Sequence, residues 1–106
     1  MKHLLLKLKA GDVSKITPEH VSASFKLSLE KSEADVLGIL DHVFDPYGYS
    51  IVAILGESHA SVHTWPEKGE VYIDYFSCSK IPRFGDFKDV WVKNGFEVLK
   101  EQEIER

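Results

Sequence analysis

Two turn sequences in the middle of the chain, Asp45-Pro46-Tyr47-Gly48 and Pro66-Glu67-Lys68-Gly69, constrain the fold more than any other feature. Proline presets one backbone angle of a tight turn and glycine accepts the left-handed one, so each stretch reverses the chain. Short apolar runs flank the turns: ADVLGILDHVF over 34–44, YSIVAILG over 49–56 and EVYIDYFSC over 70–78. Runs of this length joined by such turns predict antiparallel hairpins. ADVLGILDHVF by itself reads equally as a buried helix or a buried strand, and Gly38 with the turn that follows favours the strand. YSIVAILG is apolar on both faces, which predicts a central strand, and SVHTW is expected to continue it beyond a break at Gly56-Glu57-Ser58. In the next run Val71, Ile73 and Tyr75 alternate with Tyr72, Asp74 and Phe76, the pattern of a strand with two different faces.

The flanking segments supply the other layer. HLLLKLK over 3–9 sets Leu4, Leu6 and Leu8 against Leu5, Lys7 and Lys9, a half-buried strand ended by Gly11-Asp12. Thr17-Pro18-Glu19 starts a helix, with a hydroxyl at the N-cap and proline where no amide hydrogen is needed. Val21, Phe25 and Leu29 then form one apolar stripe, which predicts a helix from about Pro18 to Lys31. Phe84, Phe87, Val90 and Trp91 mark a second helix, closed by Asn94-Gly95. FEVLKEQEI adds a final strand. The expected fold is α+β: one domain over 1–106, a two-layer sandwich of an antiparallel sheet with two helices on one face.

Composition narrows the function. A net charge of −4 argues against nucleic acid or an anionic membrane as partner, because both reward clustered lysine and arginine. No apolar run approaches the ~20 residues that span a bilayer, and MKHLLLKLKAGD, broken by Lys7 and Lys9, does not read as a signal peptide. The only cysteine, Cys78, has no partner for an internal disulfide, which suits a reducing cytoplasm. A domain of this size buries roughly two-thirds of its unfolded surface, so an oligomer interface would add stability.

Reactive side chains concentrate in GESHASVHTWPEKGEVYIDYFSC, residues 56–78. GESHA comes close to the G-x-S-x-G elbow of serine hydrolases, but that elbow needs a strand-to-helix turn in a large α/β sheet, and strand follows here. His59 and His63, with Glu67, Asp74 and Cys78 as further ligands, could bind a metal, although His-x-x-x-His has its usual zinc meaning on a helix. Taken singly, Ser58, His59, His63 and Cys78 also read as ordinary strand residues, the thiol packing as a small hydrophobe.

The string as a whole is more specific. Glu57-Ser58-His59, then His63-Thr64-Trp65-Pro66-Glu67, then Asp74-x-Phe76-x-Cys78, preceded by Phe44-x-Pro46-x-Gly48-x-Ser50, resembles the small prokaryotic class of S-adenosylmethionine decarboxylase proenzymes, which are pyruvoyl-dependent. The resemblance is close from Phe44 to Cys78 and looser outside. It implies self-cleavage between Glu57 and Ser58, giving a 1–57 β chain and a 58–106 α chain, with Ser58 becoming a pyruvoyl cofactor and no metal required. It further implies that His63 accepts the Ser58 α-proton during processing and that Ser50 assists. The pyruvoyl group would form a Schiff base with S-adenosylmethionine and act as the electron sink for decarboxylation. Cys78 would donate the proton that completes turnover, Glu67 would bind the ribose hydroxyls, and Phe44 would stack on adenine. The family forms homodimers with active sites between protomers, and its product feeds spermidine synthesis.

Two departures bear on the substrate. Lys7 stands where the family commonly has an acidic residue, and Gly48-Tyr49-Ser50-Ile51 replaces Gly-Val-Ser-Gly. Pyruvoyl-dependent decarboxylation of ornithine or arginine is therefore an alternative, as is an unprocessed homologue that only binds a partner. One tension is internal to the sequence. Ser58 and His63 differ by an odd number of residues, so a continuous strand points them to opposite faces.

Overall fold

A computed structural model describes residues 1–106. The elements run β1 (Lys2–Ala10), α1 (Pro18–Lys31), β2 (Val36–Val43), β3 (Tyr49–Leu55), β4 (Ser58–Trp65), β5 (Glu70–Ser77), α2 (Phe84–Lys93) and β6 (Phe96–Glu105), with single turns of 3-10 helix at Val13–Lys15 and Pro66–Lys68. One six-stranded sheet has the order β2-β3-β4-β5-β1-β6, and every pair is antiparallel. The α+β sandwich expected from the sequence is therefore the observed architecture.

The helix ends follow their local chemistry. Thr17 Oγ1 accepts the amide hydrogen of His20 at 3.1 Å, Pro18 opens α1, and Val21, Phe25 and Leu29 are fully buried. Asn94 closes α2, and Gly95 takes φ +100°, a conformation costly for any residue with a Cβ. His20 Nε2 lies 2.8 Å from the Asn94 carbonyl and Asn94 Nδ2 donates to Ser24 Oγ, which ties α1 to the end of α2. Leu4, Leu6 and Leu8 of β1, Tyr49, Ile51, Ala53 and Leu55 of β3, and Val71, Ile73 and Tyr75 of β5 meet Phe87 and Trp91 in one core.

YSIVAILG forms the interior strand expected, β3, paired with β2 on one side and β4 on the other. Its two apolar rows differ in cover: the helices bury Ile51 and Ala53, whereas Val52 is 39% and Ile54 61% exposed on the uncovered face of the sheet. One strand expectation needs correction, because SVHTW does not continue β3. The chain reverses at Gly56-Glu57, so Leu55 pairs with Ser58 and Ser50 with His63. Glu57 makes the reversal possible by taking φ +59°, and Asp35 fits against Gly56 closely enough that a Cβ there would come 3.0 Å from its Oδ2.

Candidate active site

The sequence-derived site residues form two groups at opposite ends of β4. At the first end, Ser58 opens β4 just after the left-handed Glu57, whose backbone carries roughly 1–2 kcal/mol of strain for a residue with a Cβ. Cys78 follows the last residue of β5, the strand beside β4, and so arrives at the same corner. Its amide N–H donates to Ser58 Oγ at 3.1 Å. Its thiol lies 3.8 Å from the Gly56 carbonyl oxygen and 3.9 Å from Glu57 Oε2. Both residues line a cavity of about 290 Å³ on the helix side, bordered by Asp35, Tyr75 and Arg83. Arg83 forms ion pairs with Asp86 at 2.7 Å and Glu33 at 2.9 Å, which hold its guanidinium in the charged form and raise its pKa.

At the other end, β3 and β4 pair Ser50 directly with His63, and both side chains stand on the uncovered face. Ser50 Oγ and His63 Nδ1 are 2.7 Å apart. Phe44, Glu67 and Trp65 line the same cavity of about 460 Å³, a size within the ~300–1,000 Å³ common for small-molecule pockets. Four of the expected residues, Ser50, His63, Phe44 and Glu67, thus converge without Ser58 or Cys78.

Within one chain, then, the two groups do not meet. Five strand steps at about 3.3 Å separate Ser58 from His63, and they point to opposite faces, as their spacing required. The departures from the family pattern fall outside both cavities. Tyr49 and Ile51 are buried under the helices, and Lys7 pairs with Glu70 at 3.4 Å on the open face.

The suggested metal ligands are also redistributed. Asp74 and His59 come together, but with His3 of β1, and His63, Glu67 and Cys78 take no part in that cluster. His3 carried no sequence signal, because only the β1–β5 register, with His3 opposite Phe76, brings it there. Asp35 and Arg83 were likewise illegible: they reach the Ser58 cavity from loops whose course the sequence does not encode locally.

The fold and these spacings can be compared with known proteins. The chain is 37% identical over 78 residues to the S-adenosylmethionine decarboxylase proenzyme of Synechococcus sp. (strain WH7803), covering 73% of this chain and 61% of the relative. The proenzyme of Thermosipho africanus (strain TCF52B) is 36% identical over 88 residues, covering 81% and 63%. The chain thus spans less than two-thirds of the length of these curated relatives. A solved adenosylmethionine decarboxylase from Aquifex aeolicus VF5 superposes with a TM-score of 0.84 over 99% of this chain and 88% of that one, at 24% identity, a likeness of fold. The profile of the family described as S-adenosylmethionine decarboxylase matches residues 2–102. With nearly the whole sheet and both ends of β4 inside that match, the chain belongs to the S-adenosylmethionine decarboxylase family.

Proposed function

We propose that the protein is a self-processing, pyruvoyl-dependent decarboxylase of S-adenosylmethionine, whose product is an aminopropyl donor for polyamine synthesis. The observation that carries this reading is the corner at residues 56–58, where a left-handed Glu57 precedes a serine hydroxyl held by the Cys78 amide. Ser58 Oγ attacks the Glu57 carbonyl carbon, the C–N bond breaks, and an ester replaces the amide. Strain stored at Glu57 is released in that step. His63 removes the Ser58 α-proton, the Cβ–O bond breaks, and the oxygen departs on the Glu57 carboxylate. Water then replaces the nitrogen left on residue 58, releasing ammonia and leaving a ketone. The products are chains 1–57 and 58–106.

Once formed, the pyruvoyl group supplies an electron sink for the electron pair left behind by CO₂. The protein's own residues do the rest. Cys78 delivers the proton to carbon from a thiol that stands at the corner holding Ser58. Glu67 accepts hydrogen bonds from the ribose hydroxyls, and Phe44 offers its ring to the adenine. A single cysteine that must stay reduced fits a cytoplasmic setting.

The separation of the two residue groups supports a homodimer with composite sites. A two-fold axis near the middle of β4 would set the Ser58 end of one sheet beside the His63 end of the other, the base approaching the Ser58 α-carbon at the hairpin corner from the open face while Oγ keeps to the helix side. The face available for this contact is apolar where it is open: Leu40 is 79% and Ile54 61% exposed in the protomer. Val52, 39% exposed and directly opposite Leu40, continues that row from β2 to β3, a surface that proteins ordinarily cover.

Mass spectrometry of the purified protein tests the processing. Two fragments broken before Ser58, the second beginning with pyruvoyl, support the reading, and one stable intact chain defeats it. CO₂ release measured in parallel with S-adenosylmethionine, ornithine and arginine tests the substrate, and turnover confined to either amino acid would replace S-adenosylmethionine with it.

A further inference from the structure

Beside the two catalytic groups, the open face carries a polar cluster that the proposed chemistry leaves unused. His3 of β1, His59 and Ser61 of β4, and Asp74 and Phe76 of β5 lie on adjacent strands. His3 Nε2 is 2.8 Å and His59 Nε2 3.4 Å from the same oxygen, Asp74 Oδ2. The Ser61 hydroxyl donates to the other oxygen, Oδ1. The His59 ring stacks on Phe76, with centroids 5.4 Å apart and planes at 26°, and His3 meets the His59 ring edge-on at 6.0 Å.

Two imidazoles and a carboxylate this close also suggest a metal triad. The protons argue otherwise. Arg106 Nη1 lies 3.4 Å from His3 Nδ1, and a guanidinium only donates, so Nδ1 carries the lone pair and Nε2 the hydrogen. A nitrogen donating its hydrogen to Asp74 has no lone pair for a metal. The cluster is a hydrogen-bonded clamp.

Its position gives it a task. In the intact chain, residue 58 is held by its peptide bond to Glu57, by the Cys78 N–H on its Oγ, and by its pairing with Leu55. Self-cleavage breaks the first, and the second disappears when the serine oxygen leaves with the Glu57 carboxylate. The reactive carbonyl then hangs from the amide nitrogen of His59 at a new chain end, where strands fray. We propose that His59 is a positioning residue, and that Asp74, Ser61, Phe76 and His3 grip its ring to aim the carbonyl of residue 58 at Cys78. His3 belongs to fragment 1–57 and the others to 58–106, so the clamp also spans the cut.

The inference rests on the self-cleavage reading, and its test separates the two. The readout is where the last proton goes. Delivered to the substrate carbon, it yields the product amine. Delivered to the carbon of residue 58, it moves the amino group there, so that hydrolysis leaves alanine at position 58 and releases an aldehyde. In His59→Ala the expected outcome is complete cleavage, kcat lowered about tenfold to a hundredfold with KM nearly unchanged, and a rise of similar size in alanine formed per turnover. Phenylhydrazine should also label the loosened carbonyl faster, with fragment mass as the readout. His59→Gln, whose amide N–H reaches the place of Nε2, should restore most of both. His3→Ala, which removes one arm of the clamp from the other fragment, should show a weaker version and serves if His59→Ala does not fold. Wild-type protein that is never cut overturns the function and the clamp together. Cut, active wild type whose His59→Ala variant matches it in kcat, labelling rate and alanine formation overturns the clamp alone. So does loss of kcat that follows thermal stability with no change in alanine, or zinc bound one per chain whose chelation abolishes activity.

Discussion

Co-expression of two disabled chains tests whether the site is shared between protomers. Ser58→Ala has nothing to cleave but keeps Ser50, His63, Phe44 and Glu67. His63→Ala keeps Ser58 and Cys78 but lacks the proposed base. Along β4 the two positions are five steps and about 16 Å apart, on opposite faces, whereas proton transfer needs about 3 Å. His63 therefore cannot serve the Ser58 of its own chain without dismantling the strand, and each variant alone should stall, cutting slower by about 10²–10⁴-fold in His63→Ala. Chains that pair at random in equal amounts form hybrids with one complete site each, and about half of the His63→Ala chains occupy them. About half of those chains should be cut, rising toward three-quarters when Ser58→Ala is in threefold excess. Affinity tags of different mass on the two chains let intact-protein mass spectrometry count the fragments. A mixture that stays uncut while wild type cuts would refute the composite site. Rapid cutting of His63→Ala by itself would remove His63 from the chemistry.

Other predictions concern single residues. Cys78→Ala should still be cleaved, since it retains the amide that holds Ser58 Oγ, but should lose product-amine formation to the alanine-forming side reaction, which still releases one CO₂ before the site is spent; unaltered amine formation removes Cys78 as the proton donor. Glu57→Gly relaxes the left-handed backbone at the scissile bond. In the uncut Ser58→Ala background it should stabilise the precursor to denaturant by up to about 1 kcal/mol, and with Ser58 present it should slow cleavage; faster cleavage would show that the strain plays no part. Burial first, and then the 2.6 Å hydrogen bond to Asp41, raise the Tyr49 pKa above its usual 10.0. The fold thus favours the neutral phenol, so this contribution is complete below pH 10 and is lost as pH climbs through the raised value. The gap in melting temperature between the uncut protein and its Tyr49→Phe variant should narrow over that window, and a constant gap contradicts the assignment.

What could be read from the sequence was whatever a residue and its immediate neighbours decide. Thr17-Pro18 and Asn94-Gly95 ended the helices where expected, because caps act within one turn. Pairing between strands was harder, since it depends on where the chain reverses. Gly56-Glu57 has a glycine where a type II′ hairpin would use one, but the left-handed residue is the second, and a glutamate at φ +59° is a conformation held by its surroundings rather than announced by its side chain. Missing that reversal hid the fact that Ser50 faces His63, although the register follows by simple counting once Leu55 is set opposite Ser58. The apolar outer row of β3 was legible, and β3 is the interior strand it suggested, paired with β2 and β4, but a sequence does not say whether a covering layer comes from its own chain or from another. The odd spacing of Ser58 and His63 was the more telling sign. A strand keeps that parity, and the folded protomer keeps it too, so the two residues that the proposed self-cleavage needs together stand on opposite faces of β4. The exposed Leu40, Val52 and Ile54 lie on the face that carries His63. A second copy seated there would resolve both anomalies at once, burying the apolar row and bringing a histidine within reach of a serine that its own chain cannot serve.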